Sequence, residues 1–365
     1  MAVRQAYQQA LTQRGFTADA AQTAALERLQ RMHTDFVDFK KRRSNRLMRL
    51  VNRPVVPRGV WLYGGVGRGK SFLMDCFYGA VTVQRKTRLH FHEFMRGVHR
   101  DLDDLKGMQD PLEEVARRIA RKYRLICFDE FHVSDIADAM ILERLMRAMF
   151  NNGVTFVITS NYEPDRLYPD GLHRDRILPA IDLLKRSLDV MCVDAGIDYR
   201  RLSMERVEAY HTPLGERSDA ELREAFALLA EPHEESPHLM IENREIHALR
   251  RSGGVIWFDF KTLCGGPRSQ NDYLEIASQF HTVILSDVPC MSAAMSSEAR
   301  RFVWLIDVLY DQKVKLLISA ECEPEDLYTV GAMAGEFHRT VSRIVEMQSR
   351  EYLNAPRRGL AANLT

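Results

Sequence analysis

Apolar and polar residues alternate along the chain in blocks that predict helices and buried strands in turn. Over residues 18–50, an apolar stripe at helical spacing with charged residues between predicts a long amphipathic helix. Pro54, Pro57 and Gly59 interrupt this pattern, and the apolar run 60–63 that follows predicts a buried strand. Further strand-like runs, separated by helical stretches, occupy 88–94, 125–128, 154–159 and 190–193. This alternation predicts an α/β fold with a mostly parallel sheet covered by helices.

The length of 365 residues exceeds what one compact core accommodates and indicates two or three domains. We predict a basic helical extension over residues 1–50 and an α/β core over 51–204. Residues 205–253 are polar and rich in Glu, His and Pro, which is typical of a linker or an inserted subdomain. A second α/β region is predicted over 254–365.

A glycine-rich sequence follows the strand predicted at 60–63 and precedes a predicted helix over 72–78. It matches the phosphate-binding pattern GxxxxGK(S/T) with the residues Gly64, Gly65, Val66, Gly67, Arg68, Gly69, Lys70 and Ser71. Such glycines let backbone N–H groups turn inward around a phosphate, and the helix N-terminus adds its dipole. We expect Lys70 to reach the outer phosphates of ATP and Ser71 to ligate Mg²⁺. The alternative, a glycine-rich turn without a ligand, explains the flanking strand and helix less well.

The apolar strand at 125–128 ends in two carboxylates, Asp129 and Glu130. We expect Asp129 to hold Mg²⁺, mostly through the water shell of the ion. Glu130 is the predicted catalytic base or water-positioning residue for in-line attack on the γ-phosphorus. A pair of solvated loop carboxylates is the alternative, but the preceding phosphate loop favours the catalytic interpretation.

The strand at 154–159 leads to an amide, Asn161. In P-loop ATPases with an additional strand, an amide at this strand tip lies beside the attacking water and the γ-phosphate, so Asn161 is the predicted sensor. A turn-forming Asn is the alternative.

Two arginines, Arg174 and Arg176, lie just beyond the predicted sensor strand. A guanidinium there can complete a neighbouring subunit's site as an arginine finger, which predicts a nucleotide-promoted homo-oligomer. The sequence does not choose between the two arginines. Pairing with Asp170 or Asp175 of the same chain is the alternative.

Seven blocks of sequence, three of which contain motifs described above, are distinctive and extend over nearly the whole chain. The blocks are 64–75, 89–95, 127–131, 159–161, 258–261, 306–311 and 340–343. Together they resemble the ZapE family of bacterial cell-division ATPases and its mitochondrial relatives. The resemblance implies a cytoplasmic ATPase that associates with the division ring, with 64–71 as nucleotide site and Asp129 and Glu130 as hydrolysis pair. The sequence departs from an ATPase sensor at Cys322, where a second sensor-like strand end has no amide.

These motifs predict a P-loop NTPase of AAA+-like type, with helices on both faces of a parallel sheet, an N-terminal helical extension and a C-terminal α/β region. The predicted reaction is Mg²⁺-dependent hydrolysis of ATP to ADP and phosphate. We expect it to be coupled to binding or remodelling of a protein partner, which the resemblance identifies with the division-ring filament protein. A nucleic-acid-stimulated ATPase of helicase-loader type and a nucleotide-gated scaffold are the alternatives.

The distribution of charge indicates a partner surface near the N-terminal end of the chain. The formal net charge is +1, so the whole molecule has no pull towards nucleic acid or acidic membrane. Residues 1–60, however, contain 12 Lys or Arg against 4 Asp or Glu. The basic run from Lys40 to Arg58 favours a partner surface over nucleic acid, because no aromatic residues interleave for base stacking. A solvated helix face is the other alternative.

The six cysteines form no CxxC pair, and several lie in apolar runs. We therefore expect buried reduced thiols rather than a disulfide framework or a zinc ribbon. No apolar stretch of about 18 residues predicts a transmembrane segment, and the N-terminus lacks a signal-peptide core, so we expect a cytoplasmic protein. His90, His92, Glu93 and His99 form a candidate metal cluster, but a polar network near the nucleotide is favoured because no further ligand stands at a specific spacing.

The chain also resembles itself. Residues 150–171 correspond to 310–331 at an offset of 160, and 125–129 correspond to 283–287 at an offset of 158. We expect residues 254–335 to form a second strand–helix–strand unit. It has no phosphate loop, and Asp287 is followed by valine rather than glutamate, so we expect no hydrolysis there. Chance similarity of two amphipathic segments is the alternative.

Overall fold

The computed structural model describes residues 2–14, 17–44, 55–133, 135–169, 171, 173–194, 203–204, 206–231, 234–355 and 357. The chain divides into two compact units, Met1–Asp198 and Tyr199–Thr365. A five-stranded sheet forms the centre of each unit. Among the described residues, no helix combines the length and apolar character needed to cross a membrane.

The first unit is a parallel sheet with helices on both faces, as the sequence predicts. Its strands are β1 (Gly59–Tyr63), β2 (Lys86–His90), β3 (Leu125–Asp129), β4 (Thr155–Ser160) and β5 (Leu188–Cys192). Its helices are α1 (Val3–Arg14), α2 (Ala20–Ser44), α3 (Lys70–Ala80), α4 (Phe91–Asp104), α5 (Pro111–Lys122), α6 (Ile136–Asn151) and α7 (Leu178–Ser187). The strand order is β2-β3-β4-β1-β5, and all pairs are parallel.

Strand β3 shows why the sheet is covered on both faces. All five of its residues are buried, which is typical of a central parallel strand. Successive side chains alternate between faces, so Cys127 lies in the core formed with α1, α2 and α3. Phe128 lies in the opposite core, formed with α4, α5, α6 and α7. Asp129, the last residue of β3, and Glu130, which follows it, therefore stand at the end of a buried strand.

The N-terminal helices pack against the first unit's own core through Tyr7, Leu29 and Phe36, which are buried. Arg28 of α2 forms an ion pair with Asp189 of β5 at 2.6 Å. The basic run predicted from Lys40 to Arg58 is described only in part. Its exposed members at the end of α2 are Lys40, Lys41 and Arg42, whereas Arg46, Arg49 and Arg53 lie outside the described residues.

The second unit has a mixed sheet of order β6-β12-β11-β10-β9 and a separate hairpin of β7 and β8. Its strands are β6 (Tyr210–His211), β7 (His238–Ile241), β8 (Arg244–His247), β9 (Arg250–Ser252), β10 (Val255–Asp259), β11 (Thr282–Val288) and β12 (Lys315–Ala320). Its helices are α8 (Glu216–Leu229), α9 (Gln270–Gln279), α10 (Ser296–Asp311), α11 (Ala334–Met347) and α12 (Arg350–Asn354). Only β9 runs antiparallel to its neighbour in the described part of this sheet.

One expectation about the cysteines is wrong, because Cys290 and Cys322 form a disulfide. The two residues follow the adjacent strands β11 and β12, which bring their Cα atoms within 6.1 Å across 32 residues of sequence. A pairing set by strand adjacency leaves no local CxxC signal. The remaining cysteines are Cys76, Cys127 and Cys264, which are buried, and Cys192, which is exposed.

Candidate active site

The loop between β1 and α3 follows a backbone path that requires glycine. Gly67 and Gly69 have φ angles of 77° and 80°, in the left-handed region. A Cβ at Gly64 would lie 2.6 Å from the carbonyl oxygen of Val193, so no side chain fits there. The resulting tight turn directs the first N–H groups of α3 towards the loop, which fits a bound phosphate.

Lys70 is the first residue of α3, and its side chain bends back over the loop. Its ammonium donates to the carbonyl oxygens of Gly64 and Gly65 at 2.9 and 2.8 Å and to Oδ1 of Asn161 at 3.1 Å. Asn161 reaches this point because β4 pairs with β1 in parallel, with Ser160 opposite Tyr63. The structure therefore brings together the predicted phosphate-binding lysine and the predicted sensor amide.

Ser71 and Asp129 meet although they are 58 residues apart. The hydroxyl of Ser71 donates to Oδ1 of Asp129 at 2.8 Å, and the hydroxyl of Thr159 donates to the same oxygen. The other carboxylate oxygen accepts from Nη2 of Arg88 at 2.6 Å. A hydroxyl and a carboxylate are the oxygen ligands that Mg²⁺ prefers, so these residues fit the predicted metal.

The carboxyl group of Asp129 is buried but stays ionised. Burial by itself raises its pKa, yet the charges of Arg88 and His90 and the hydrogen bonds from Thr159 and Ser71 outweigh this effect. The pKa therefore lies well below its usual range. An ionised carboxylate at neutral pH is what a metal ligand requires.

Glu130 leaves the strand in a different direction from Asp129. Its φ angle of 49° turns the chain out of β3, and its side chain is 51% exposed. The backbone N–H of Glu130 donates to Oγ1 of Thr159 at 3.2 Å and to Oδ1 of Asp129 at 3.1 Å. One carboxylate is thus held inside the site, while the next faces solvent, where it can position a water molecule.

The predicted histidine cluster is brought together only in part. The rings of His90 and His92 lie 5.8 Å apart, and Nδ1 of His90 is 3.9 Å from Oε2 of Glu130. His99 lies elsewhere, with Nε2 at 2.6 Å from Oδ1 of Asp138. In the described part of the chain, no group of three or more His, Cys, Asp or Glu side chains could hold a metal ion.

The two arginine-finger candidates lie in a short 3-10 turn, Arg174–Arg176, between β4 and α7. Arg174 donates to the carbonyl oxygen of Asp165 at 2.8 Å. Nε of Arg176 is 3.6 Å from Oδ2 of Asp175, and both side chains are largely exposed. An exposed ion pair of this length contributes little energy, so it does not hold Arg176 in place.

Four residues that contact the site carry no motif and were not predicted. They are Gln22, Asp75, Arg88 and Asp194. Asp194 forms an ion pair with Arg68 at 2.9 Å and accepts from the N–H of Gly65 at 3.2 Å. For Asp75 the sequence does carry a signal: it is four residues after Ser71 in a predicted helix, so the two side chains share a helix face. For Gln22 and Asp194 the sequence offers none.

The glycine loop, the parallel sheet and the contact between Ser71 and Asp129 define the class: a P-loop nucleotide-binding protein. A family model for AFG1-like ATPase matches residues 1–356, and the chain belongs to this family. The match confirms the resemblance noted in the sequence and identifies the protein as an ATPase.

Two curated relatives extend over most of the chain. Cell division protein ZapE of Escherichia coli (strain K12) is 42% identical over 361 residues, covering 95% of this chain and 96% of the relative. Lactation elevated protein 1 homolog B of Danio rerio is 37% identical over 348 residues, covering 82% of this chain and 69% of the relative. Among solved structures, DnaI has a TM-score of 0.34 at 16% identity and covers 49% of this chain and 85% of its own.

Proposed function

We propose that the first unit hydrolyses ATP at the loop 64–71, with Asp129 and Glu130 as the hydrolysis pair. The observation that carries this proposal is the 2.8 Å hydrogen bond from Ser71 to Asp129, which joins the phosphate loop to the carboxylate strand. The fit of the glycine loop to a phosphate supports it. Membership of an ATPase family supports the same reaction.

Each side chain has a separate task in this proposal. The loop N–H groups and Lys70 bind the outer phosphates, and Ser71 and Asp129 hold Mg²⁺. When bound, the ion neutralises the charge on the transferring phosphoryl group. Glu130 orients a water molecule and accepts its proton as the water oxygen attacks the γ-phosphorus. Asn161 orients the same water from the neighbouring strand, and the bond to ADP breaks.

Substitution of Glu130 by Gln tests the hydrolysis role and the scaffold alternative together. The variant keeps the hydrogen-bonding shape but cannot accept a proton, so we expect it to bind ATP without turning it over. A remodelling ATPase would then be arrested on its partner. A nucleotide-gated scaffold would keep functioning in this ATP-bound form, and that outcome would reject coupling of hydrolysis to work.

We further propose that hydrolysis is coupled to a protein partner, the division-ring filament protein. The support is the 42% identity over 95% of the chain with a relative named as a cell division protein. The direct test is ATP turnover measured alone, with the filament protein and with single-stranded DNA. Stimulation by the filament protein is expected. Stimulation by DNA alone, with a steep dependence on salt, would replace this proposal with the helicase-loader alternative.

We also propose that the second unit repeats the first. Helices α6 and α10 have 16 residues each and are offset by 160 positions, as are strands β4 and β12. Each strand is preceded, two positions earlier, by a residue with a positive φ: Gly153 before β4 and Lys313 before β12. The N–H of each donates to the carbonyl oxygen of the residue three positions earlier. Such a helix end is common by itself. The support for the repeat is that the helix, the turn and the strand all recur at the same offset of 160.

The geometry at the end of β11 corrects the predicted correspondence between β11 and β3. Asp287 has a φ angle of 62°, and its N–H donates to Oγ of Ser319 at 3.2 Å. Glu130 makes the same contact with Thr159. The correspondence in this strand is therefore 157 positions rather than 158. It pairs Asp287 with Glu130, and Ser286 with Asp129.

The repeat extends upstream of the predicted boundary at residue 254. Strand β6 pairs with β12 in parallel, as β1 pairs with β4, and helix α8 follows β6 after a short loop. That loop, residues 212–215, has no lysine and a single glycine. We therefore expect one nucleotide per chain. Equilibrium binding of a non-hydrolysable ATP analogue measures this number, and two sites per chain would reject a nucleotide-free second unit.

A further inference from the structure

One guanidinium joins two buried carboxylates next to the proposed metal position. Nε of Arg88 lies 3.0 Å from Oδ1 of Asp75, and its Nη2 lies 2.6 Å from Oδ2 of Asp129. The side chains are 6%, 0% and 3% exposed, respectively. Ionised groups are seldom buried this deeply unless each is paired. The three therefore form a connected unit rather than surface ion pairs.

The secondary structure explains why these residues meet. Asp75 is four residues after Ser71 on α3, so the two project from the same face of that helix. Arg88 lies opposite Cys127 in the parallel register, two residues before His90, which lies opposite Asp129. Arg88 and Asp129 therefore belong to the face of the sheet that α3 covers. The planar guanidinium presents donors in two directions, which the single ammonium of lysine does not do.

We propose that Arg88 is a positioning residue for the magnesium-binding carboxylate, and that Asp75 fixes Arg88. Arg88 holds Asp129 by Oδ2, which leaves Oδ1 directed at Ser71 and at the metal. Asp75 takes the other side of the guanidinium and stops it from following Asp129 if that side chain rotates. This inference rests on the proposed function, because the metal position is the one defined by Ser71 and Asp129.

The charge balance gives this arrangement a measurable consequence. Two buried carboxylates share one guanidinium. In the wild type, the guanidinium limits the attraction of Asp129 for a free cation while fixing its direction. Without Arg88, both buried carboxylates lose the guanidinium that lies between them, which destabilises the fold. A divalent cation at the proposed metal position can then supply counter-charge to Asp129.

The corresponding position in the second unit carries a neutral contact. Trp257 of β10 lies opposite Ile284, as Arg88 lies opposite Cys127. Its Nε1 donates to Oγ of Ser286 at 3.1 Å, where Arg88 bonds Asp129 in the first unit. A neutral hydrogen bond is thus sufficient to join these two strands. The charged version occurs in the unit that has the phosphate loop, which ties the charge to the metal rather than to strand pairing.

The first test uses the nucleotide-free protein and needs no activity. We compare thermal unfolding of the wild type, Arg88→Met and the control Arg251→Met, in EDTA and in Mg²⁺ alone. Arg251 is the control because it forms an ion pair with Glu235 in the second unit, at 2.8 Å, with the two side chains 9% and 20% exposed. Both variants should lose stability in EDTA, and Mg²⁺ should restore part of it in Arg88→Met only. A loss in Arg88→Met that Mg²⁺ leaves unchanged would overturn the inference.

The second test uses variants that keep the charge at position 88 or keep Arg88 itself, in case Arg88→Met does not fold. Arg88→Lys loses the donors that the guanidinium presents in two directions, and Asp75→Asn loses the carboxylate charge that pairs with Arg88. We expect each to raise the Mg²⁺ concentration for half-maximal ATP turnover by about 10-fold, the usual cost of losing an outer-sphere partner of a metal ligand. Arg251→Met should keep the wild-type value. Wild-type values in both Arg88→Lys and Asp75→Asn would overturn the inference.

The outcomes separate this inference from the proposed function. If the wild type does not hydrolyse ATP in Mg²⁺, the proposed function fails, whatever the variants do. If the wild type hydrolyses ATP and the variants at positions 75 and 88 share its Mg²⁺ dependence, only the positioning role fails.

Discussion

The ammonium of Lys70 donates to the side-chain oxygen of Asn161 at 3.1 Å, which joins the start of α3 to the tip of β4. The two residues are 91 positions apart, and only the parallel pairing of β1 with β4 brings them together. A cation and an amide at this spacing can contact the same phosphate and its attacking water.

We expect Asn161→Ala to lower kcat by about 100-fold with little change in KM for ATP, because the amide acts on the water in the transition state. Steady-state turnover over a range of ATP concentrations measures both constants. Asn152→Ala is the control, since the side-chain amide of Asn152 donates to Glu113 of α5 and to the carbonyl oxygen of Ala148 of α6. An increase in KM without a fall in kcat would show that Asn161 contributes to ATP binding alone.

Gln22 links the N-terminal helices to the phosphate loop. Its Nε2 donates to the carbonyl oxygen of Arg68 at 3.0 Å, and its Oε1 accepts from the hydroxyl of Tyr7 at 2.8 Å. Loss of one such hydrogen bond costs about 1 kcal/mol, or about 5-fold in an equilibrium constant. We therefore expect Gln22→Ala to weaken binding of a fluorescent ATP analogue by about 5-fold. Thr23→Ala on the same helix should bind normally, and equal loss in both variants would reject the link.

Arg174 and Arg176 are distinguished by mixing variants. A finger supplied by a neighbour contributes about 1,000-fold to turnover, so loss of the correct arginine should nearly abolish it. Lys70→Ala has an intact arginine turn, and the finger variant has an intact phosphate loop. Mixing the two inactive proteins should restore turnover, which rises with protein concentration. If Arg174→Ala and Arg176→Ala both keep wild-type turnover, neither residue is a finger.

Lys315 of β12 provides a pH-dependent test of the second unit. Its ammonium donates to the carbonyl oxygens of Tyr352 and Ala355 at 2.6 and 2.7 Å. Burial, with a smaller contribution from Lys313, lowers the pKa of Lys315 to about 8. In the unfolded chain the pKa of a lysine is about 10.4. Between the two pKa values the unfolded state therefore binds more protons than the folded state. The free energy of unfolding contributed by Lys315 therefore rises with pH across this window.

Urea unfolding of the wild type and Lys315→Met at several pH values from 7 to 10 measures this effect, because other titrating groups cancel in the difference. The wild type should gain stability relative to the variant as the pH rises above about 8. A difference in unfolding free energy that stays constant with pH would show that burial does not lower the pKa of Lys315 in the folded protein.

The predicted site residues that the structure brings together are those whose signal is local. The phosphate loop and the pair Asp129–Glu130 each combine a strand with an adjacent motif, and the structure brings them together. Arg88 was missed because its role depends on two partners from other elements. The end of β2 was also misplaced: the segment 88–94 was predicted as one strand, but α4 begins at Phe91. Alternating apolar and polar residues there suit either structure over so short a length.

The most direct test of the central claim is single-turnover hydrolysis of ATP by Glu130→Gln, with Glu143→Gln as the control. Glu143 lies on α6 and pairs with Arg147 of the same helix, away from the loop. The account predicts that Glu130→Gln binds one ATP per chain with wild-type affinity and that its hydrolysis rate falls by at least about 100-fold. The control should match the wild type. Hydrolysis by Glu130→Gln at the wild-type rate would contradict the account.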